Sequence, residues 1–201
     1  MSDLTVPNHH AHHRGFSGAF GVAAALSMIL GRKGDAGLAA RLSGLRPEET
    51  VVDVGCGPGA AVRYAAALGA TVIGVDPAAV MLRTSRLLTR PSRRVRFVEG
   101  TAEHLPLPGD SADVVWSIAT AHHLRDVSAA LVEARRVLKA EGRLVVIEKR
   151  TEAGAHGLAS HGWTREQAAA FAEACTQHGF VDVRVEEATG RGPAFAVVAR
   201  R

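Results

Sequence analysis

From residue 49 onward, short apolar runs rich in β-branched residues alternate with stretches of helical character. The runs at 50–54, 71–75, 94–99, 112–116 and 142–148 read as strands. Between them, residues 60–68 form a helical pattern closed by Gly69. A second helix opens at Pro77, in the first-turn position where proline's missing N–H is harmless, and ends before Pro91. Residues 126–138 read as a third helix, with Asp126 or Ser128 as its cap. Thr164 caps a fourth, which runs to about His178 and stops at Gly179. The last strands are 180–186 and 194–199, and residues 152–162, rich in Gly and Ala, form a loop that holds His156 and His161.

Nearly continuous apolar strands alternating with helices predict a parallel sheet covered on both faces, with right-handed crossovers. Only residues 187–193 separate the last two strands, too few for a crossover helix, so these two form an antiparallel hairpin. The expected class is α/β, with a seven-stranded, mostly parallel sheet ending in that hairpin. Ahead of it, residues 17–30 are apolar and Ala-rich, residues 31–34 break the pattern, and Asp35 caps a helix that reaches about Leu42 and ends at Ser43-Gly44. The expected organisation is a helical extension over residues 1–48, packed on an α/β domain of residues 49–201 and able to act as its lid.

Composition narrows the classes. At 201 residues and 47% hydrophobic, the chain has enough apolar material for one α/β domain. Its longest apolar stretch, residues 22–30, is far short of the ~20 residues a membrane span needs. No signal-peptide pattern is present, and a cytoplasmic protein is expected. The two cysteines, Cys56 and Cys175, lack CxxC spacing and read as reduced thiols. The formal charge is +4, with a basic run at Arg83, Arg86, Arg90, Arg93, Arg94 and Arg96. No aromatics interleave with it, and arginine near a helix C-terminus is favoured by the helix dipole, so a solvated face is expected rather than a nucleic-acid patch.

The chemistry concentrates at the carboxyl ends of the predicted strands, where open α/β sheets bind ligands. Strand one, Val51-Val52-Asp53-Val54, runs into Gly55-Cys56-Gly57-Pro58-Gly59. Glycines there permit a tight turn and close approach of backbone to ligand, and the next helix offers unpaired N–H groups. Strand two ends on Val75-Asp76, whose carboxylate can accept both hydroxyls of a ribose. Taken alone, Gly55, Gly57 and Ala60 also satisfy a loose dinucleotide fingerprint. Asp53 two residues ahead of the loop, Pro58 inside it and the C-terminal hairpin all point away from that reading.

In these features the chain resembles the class I S-adenosylmethionine (SAM)-dependent methyltransferases, in particular the small-molecule branch that includes the ubiquinone/menaquinone-type enzymes. The resemblance spans about residues 50–199. Its motifs are Val-Val-Asp-Val-Gly-Cys-Gly-Pro-Gly at 51–59, Val-Ile-Gly-Val-Asp-Pro at 72–77 and Glu-Gly-Thr-Ala-Glu-His-Leu-Pro-Leu-Pro at 99–108. Ala-Asp-Val-Val-Trp-Ser at 112–117, His-His-Leu at 122–124 and Arg-Arg-Val-Leu-Lys-Ala-Glu-Gly-Arg-Leu-Val-Val at 135–146 complete them. The resemblance implies a Rossmann-like fold and SAM as cofactor, with S-adenosylhomocysteine (SAH) as product. It implies that Gly55, Cys56, Gly57 and Gly59 line the methionine end and Asp53 lies near the amino group. Asp76, followed by Pro77, would bind the ribose, and Ala102, with Thr101 and Glu103 beside it, would flank the adenine. Ser117 would offer its carbonyl near the transferred methyl. The family often has Asp where this chain has Thr101, and Pro-Gly where it has Ala140-Glu141.

Methyl transfer from a sulfonium is an in-line displacement, and an oxygen acceptor often needs a base, for which histidine suits neutral pH. His122 and His123 follow strand four, and His161 lies in the loop after strand five. These three are the candidate catalytic residues. No fixed metal is expected: His9, His10, His12 and His13 do not match a structural zinc spacing. An oxygen-bound ion near the acceptor stays open, because Asp126 is within sequence reach of the histidines. No Asn-Pro-Pro-Tyr or Pro-Cys follows strand four, and aromatics are only 4%, so a polar acceptor such as a sugar or hydroxy acid is expected. O-methylation leads, with small-amine N-methylation and a non-catalytic SAM- or dinucleotide-binding module as alternatives. The expected partner is a small-molecule acceptor, with neither membrane nor nucleic acid, and the apolar N-terminal helix suits a homodimer interface.

Overall fold

The computed structural model describes residues 33–201. The expectations for residues 17–30 and for His9, His10, His12 and His13 lie outside the described residues. Helix α1 (Lys33–Ser43) leads into β1 (Thr50–Val54), α2 (Ala60–Ala67), β2 (Thr71–Asp76), α3 (Ala79–Leu88) and β3 (Val95–Glu99). There follow β4 (Ala112–Ile118), a 3-10 turn (Ala121–His123), α4 (Val127–Val137) and β5 (Leu138–Lys149). A second 3-10 turn (Gly157–Ser160), α5 (Arg165–Gln177), β6 (Val181–Thr189) and β7 (Pro193–Arg200) complete the chain.

The strands form one sheet in the order β3-β2-β1-β4-β5-β7-β6. Strands β3, β2, β1, β4 and β5 pair in parallel, while β7 is antiparallel to both β5 and β6. The order reverses between β1 and β4, where Val54 pairs with Ser117. Two-residue side-chain alternation sends neighbouring valines to opposite layers. Val52, Val115, Val146 and Val197 pack with Leu131 and Ala134 of α4 and Ala168 and Phe171 of α5. Val51, Val114, Val145 and Val198 pack with Ala36 and Ala39 of α1, Val62 and Ala65 of α2 and Leu82 of α3. Trp116 lies in this second layer and is fully buried. The two edge strands carry charged residues, Arg184, Glu186 and Glu187 on β6 and Arg96 and Glu99 on β3, which discourages pairing with another sheet.

The structure corrects four boundary expectations. Asp35 is not a cap but the third residue of α1, and its Oδ1 accepts a hydrogen bond from Arg191 N at 2.8 Å, tying the helix to the β6–β7 hairpin. Pro77 precedes α3 rather than opening it, because Asp76 Oδ1 accepts from Ala78 N at 2.8 Å and turns the chain first. Strand β4 runs two residues past Trp116, placing Ser117 inside the strand. Strand β5 starts at Leu138, which pairs with Ala112 before the register shifts, and Glu141 takes up the irregularity at φ 63°. Arginine carbonyl bonds account for part of the basic run: Arg86 donates to Phe97 O and Arg94 to Gly69 O, with Glu48 paired to Arg94. Among the described residues no helix is long and apolar enough to cross a membrane.

Candidate active site

Parallel strands deliver their following loops to one edge of the sheet, and the candidate residues gather there. Leaving β1, the backbone hooks over the end of β2: Gly55 N and Cys56 N both donate to Val75 O, at 2.8 and 3.0 Å. Gly55, Gly57 and Gly59 all have left-handed φ, at 73°, 51° and 77°. A Cβ on Gly55 would fall 2.2 Å from Thr120 Cγ2, so this position needs glycine for space as well as for conformation. The Thr120 hydroxyl donates to Gly55 O at 3.3 Å, joining the loop after β1 to the loop after β4. Cys56 is a buried thiol whose Sγ donates to Gly57 O. Gly57 N donates to Asp76 Oδ2 at 2.8 Å, so the acid at the end of β2 also holds the glycine loop. Asp53 is buried within β1, flanked by Gly74 and Trp116 in the register.

The loop after β3 is held from the far side by α4. Leu105 N donates to Glu133 Oε2 at 2.8 Å, and Arg136 donates to the carbonyls of Leu105 and Leu107. The Arg136 hydrogen bond, reinforced by Leu105 N, holds the Glu133 carboxyl below its usual range despite partial burial. Thr101 is exposed at the start of this loop and bridges to His104, while Ala102 and Glu103 are half-buried. Glu103 Oε1 accepts from Arg125 N at 2.9 Å, so this side chain steadies the entry to α4.

Beyond β4, Ala119 at φ 51° donates its N–H to Ile147 O, and the 3-10 turn then carries His122 and His123. His122 is buried, with Nδ1 2.8 Å from Glu148 Oε2, and its backbone N donates to Glu148 Oε1 at 3.2 Å. Glu148, near the end of β5, is wholly buried. His161 returns to the same place on the long loop after β5. Trp163 N donates to Lys149 O at 2.9 Å and Thr151 N to Trp163 O at 2.8 Å, while the buried Trp163 ring sits 4.8 Å from that of Phe171. Gly162 passes so close to β5 that a Cβ would meet Lys149 O at 2.1 Å. The result is a cluster of three imidazoles, with ring centroids 4.0 Å (His122–His123), 5.3 Å (His122–His161) and 5.6 Å (His123–His161) apart.

Comparison with known proteins identifies the frame in which these residues sit. A family model described as a methyltransferase domain matches residues 52–146. The uncharacterized methyltransferase YcgJ of Bacillus subtilis is 35% identical over 116 residues, covering 57% of this chain and 46% of that protein. Demethylmenaquinone methyltransferase of Tropheryma whipplei is 34% identical over 110 residues, covering 55% of this chain and 46% of that one. Residues 52–146 thus match a methyltransferase domain, and the chain as a whole is similar to SAM-dependent methyltransferases. A SAM-dependent methyltransferase structure from Aquifex aeolicus superposes with a TM-score of 0.70 at 20% identity, covering 89% of this chain and 97% of that one, which speaks to the fold. The chain spans a little under half the length of these two curated relatives.

Within the methyltransferase domain, the structure brings Asp53, the glycine loop, Asp76 and Ser117 together at the switch point between β1 and β4. Pro77 is exposed just beyond, at the entry to α3. His122, His123 and His161 form one group although the last two are 38 positions apart in sequence. Three contributors escaped sequence reasoning. Glu148 read as the end of an apolar strand, although an acid inside such a run signals a buried partner. Thr120 carried no motif, and its contact with Gly55 exists only across the sheet edge. The Glu133–Arg136 pair lies three residues apart on α4, a spacing common to helix-surface charges, and so carried no signal of its own.

The glycine loop and Asp76 suit SAM. Left-handed glycines at 55, 57 and 59 leave alternate positions of the loop without side chains at the sheet edge. A carboxylate has about four acceptor positions, so the bonds to Gly57 N and Ala78 N are compatible with ribose hydroxyls on the same group.

Proposed function

We propose that this chain is an enzyme that methylates a hydroxyl on a small polar acceptor, a sugar or hydroxy acid, using SAM. The observation that carries the reading is the cluster of His122, His123 and His161, backed by the buried Glu148 and set beside the strand end that bears Ser117. A glycine loop alone fits many nucleotide ligands. Proton-accepting groups at the neighbouring strand ends fit a reaction in which an acceptor must lose a proton.

In this reading Gly55, Cys56, Gly57 and Gly59 line the methionine end of SAM and Asp53 faces its amino group. Asp76 takes the ribose hydroxyls, Thr101, Ala102 and Glu103 border the adenine, and the Ser117 carbonyl lies near the methyl. Bound SAM supplies a sulfonium methyl whose S–C bond breaks as the acceptor's O–C bond forms. The protein's work is to align the acceptor and remove its proton. In the metal-free protein an imidazole of the cluster takes that proton. Glu148 holds the His122 ring in orientation through Nδ1. We read the acceptor as a small molecule and the protein as cytoplasmic.

Thermal-shift titration with SAM, SAH and NAD, followed by an SAH-release screen over sugars, hydroxy acids, phenols and amines, tests this. Stabilisation by SAM and SAH but not NAD, with release driven by hydroxyl acceptors, is the expected result. Release with amines alone would overturn the O-methylation reading, and stabilisation by NAD alone would overturn the cofactor.

A further inference from the structure

We infer that His122, His123 and His161 form a binding site for a divalent transition-metal ion of the zinc class. Each imidazole offers one nitrogen, and these three atoms lie within 4.8 Å of one another. A tetrahedral zinc ion with bonds of about 2.1 Å sets its ligand nitrogens about 3.4 Å apart, so the rings close by at most about 1.4 Å on loading. That movement lies within the reach of side-chain rotation for the half-buried His123 and His161.

Glu148 makes this more than a meeting of three rings. Its bond to Nδ1 commits that nitrogen, so Nε2 is the nitrogen His122 would offer an ion. A carboxylate behind a ligating histidine orients the ring and raises its basicity, an arrangement common around bound zinc. Glu148 is wholly buried, and among the described residues its ion-pair partner is His122 rather than a Lys or Arg. A buried carboxylate calls for positive charge nearby, and an ion on the far nitrogen of its histidine supplies it.

The backbone also builds the site. The 3-10 turn Ala121–His123 is held on Glu148 through His122 N. His161 is pinned by Gly162 against Lys149 and by the bonds between Trp163, Lys149 and Thr151. Three neutral nitrogen ligands suit zinc, cobalt, nickel or iron better than magnesium or calcium, which prefer oxygen. Three protein ligands leave the fourth position open, the pattern of a catalytic rather than a structural ion. An acceptor hydroxyl entering that position would lose its proton to solvent more readily, so that no imidazole need take it. The ion's binding does not depend on the acceptor reading; only this use of it does.

The test is calorimetric titration of the untagged full chain with Zn²⁺, without SAM or acceptor, and visible absorption of the Co²⁺ form. A single tight equivalent is expected, with the intense visible bands of a four-coordinate Co²⁺ site. His123→Ala combined with His161→Ala should weaken binding about 100-fold or more and abolish those bands, while Glu148→Gln weakens it about 10–100-fold. Replacing His9, His10, His12 and His13 together by Gln should leave the equivalent in place. Unchanged metal-free thermal melts separate loss of ligands from loss of fold. Absence of a tight equivalent, its survival in the His123/His161 double variant, or its disappearance in the N-terminal variant would each overturn the site. A protein that binds no Zn²⁺ yet methylates a hydroxyl would refute the metal alone. One that binds Zn²⁺ but releases SAH only with amines would refute the acceptor reading alone.

Discussion

Gly55→Ala tests the join between the glycine loop and the loop after β4. At φ +73° the residue lies in the left-handed region, where an L side chain costs about 1–2 kcal/mol. The new methyl would also lie 2.2 Å from Thr120 Cγ2, 2.4 Å from Oγ1 and 2.8 Å from Cβ. Rotating the threonine side chain cannot clear the last of these, so the backbone must move, an overpacking cost of about 1–3 kcal/mol. Together these destabilise the domain by about 2–5 kcal/mol, a large share of the ~5–15 kcal/mol typical of a native fold. For a chain of this size the melting temperature should fall by about 4–20 °C. Thr120→Gly removes every atom of the clash and leaves the φ strain, so the double variant should recover about 1–3 kcal/mol relative to additivity. Urea denaturation of the four proteins measures this cycle, and the thermal shift with SAM reports on the loop itself. A Gly55→Ala cost below about 1 kcal/mol, or a cycle additive to within about 0.5 kcal/mol, would show that Thr120 does not press on the loop as described.

Asp76 anchors Gly57 N and Ala78 N, so Asp76→Ala should lose both stability and SAM affinity, whereas Asp76→Asn keeps an acceptor for one N–H and should lose mainly affinity. Calorimetry showing wild-type SAM affinity in Asp76→Asn would mean that the ribose is held elsewhere. The Arg136 bond lowers the folded-state pKa of Glu133 from its ordinary value of 4.5, so the stability it contributes is present above that value and lost as pH falls through the folded value. The urea-midpoint gap between wild type and Glu133→Gln should therefore narrow on acidification, and a gap that widens would contradict the pairing. Burial pushes the Cys175 thiol up to about 12, so it should resist iodoacetamide at neutral pH in the folded protein and react once unfolded. Fast native alkylation at Cys175, read by mass spectrometry, would contradict that burial.

Element identity was legible in the chain because it depends on local pattern. Residues 50–54 read as a strand and are one, and Thr164 caps its helix as expected, with Gln167 completing a reciprocal capping box. Only residues 187–193 lie between the last two predicted strands, and that alone required the β6–β7 hairpin. Boundaries drifted where a side chain took a backbone partner that the apolar pattern does not show, as Asp35 did with Arg191 N and Asp76 with Ala78 N.

The order of residues determined the class of fold, the position of the glycine loop after β1 and the acid after β2, since each follows from the period of apolar side chains and the turns between them. Tertiary structure alone decided what meets at the sheet edge. Glu148 reaches His122 across 26 positions, and His161 joins them only because β4 and β5 are neighbours and Gly162 brings the returning loop onto Lys149. Pairing between strands and the close passage of loops are set by the packing of the whole sheet. A local pattern can supply the histidines and the acid, but only the packed sheet places them within bonding distance.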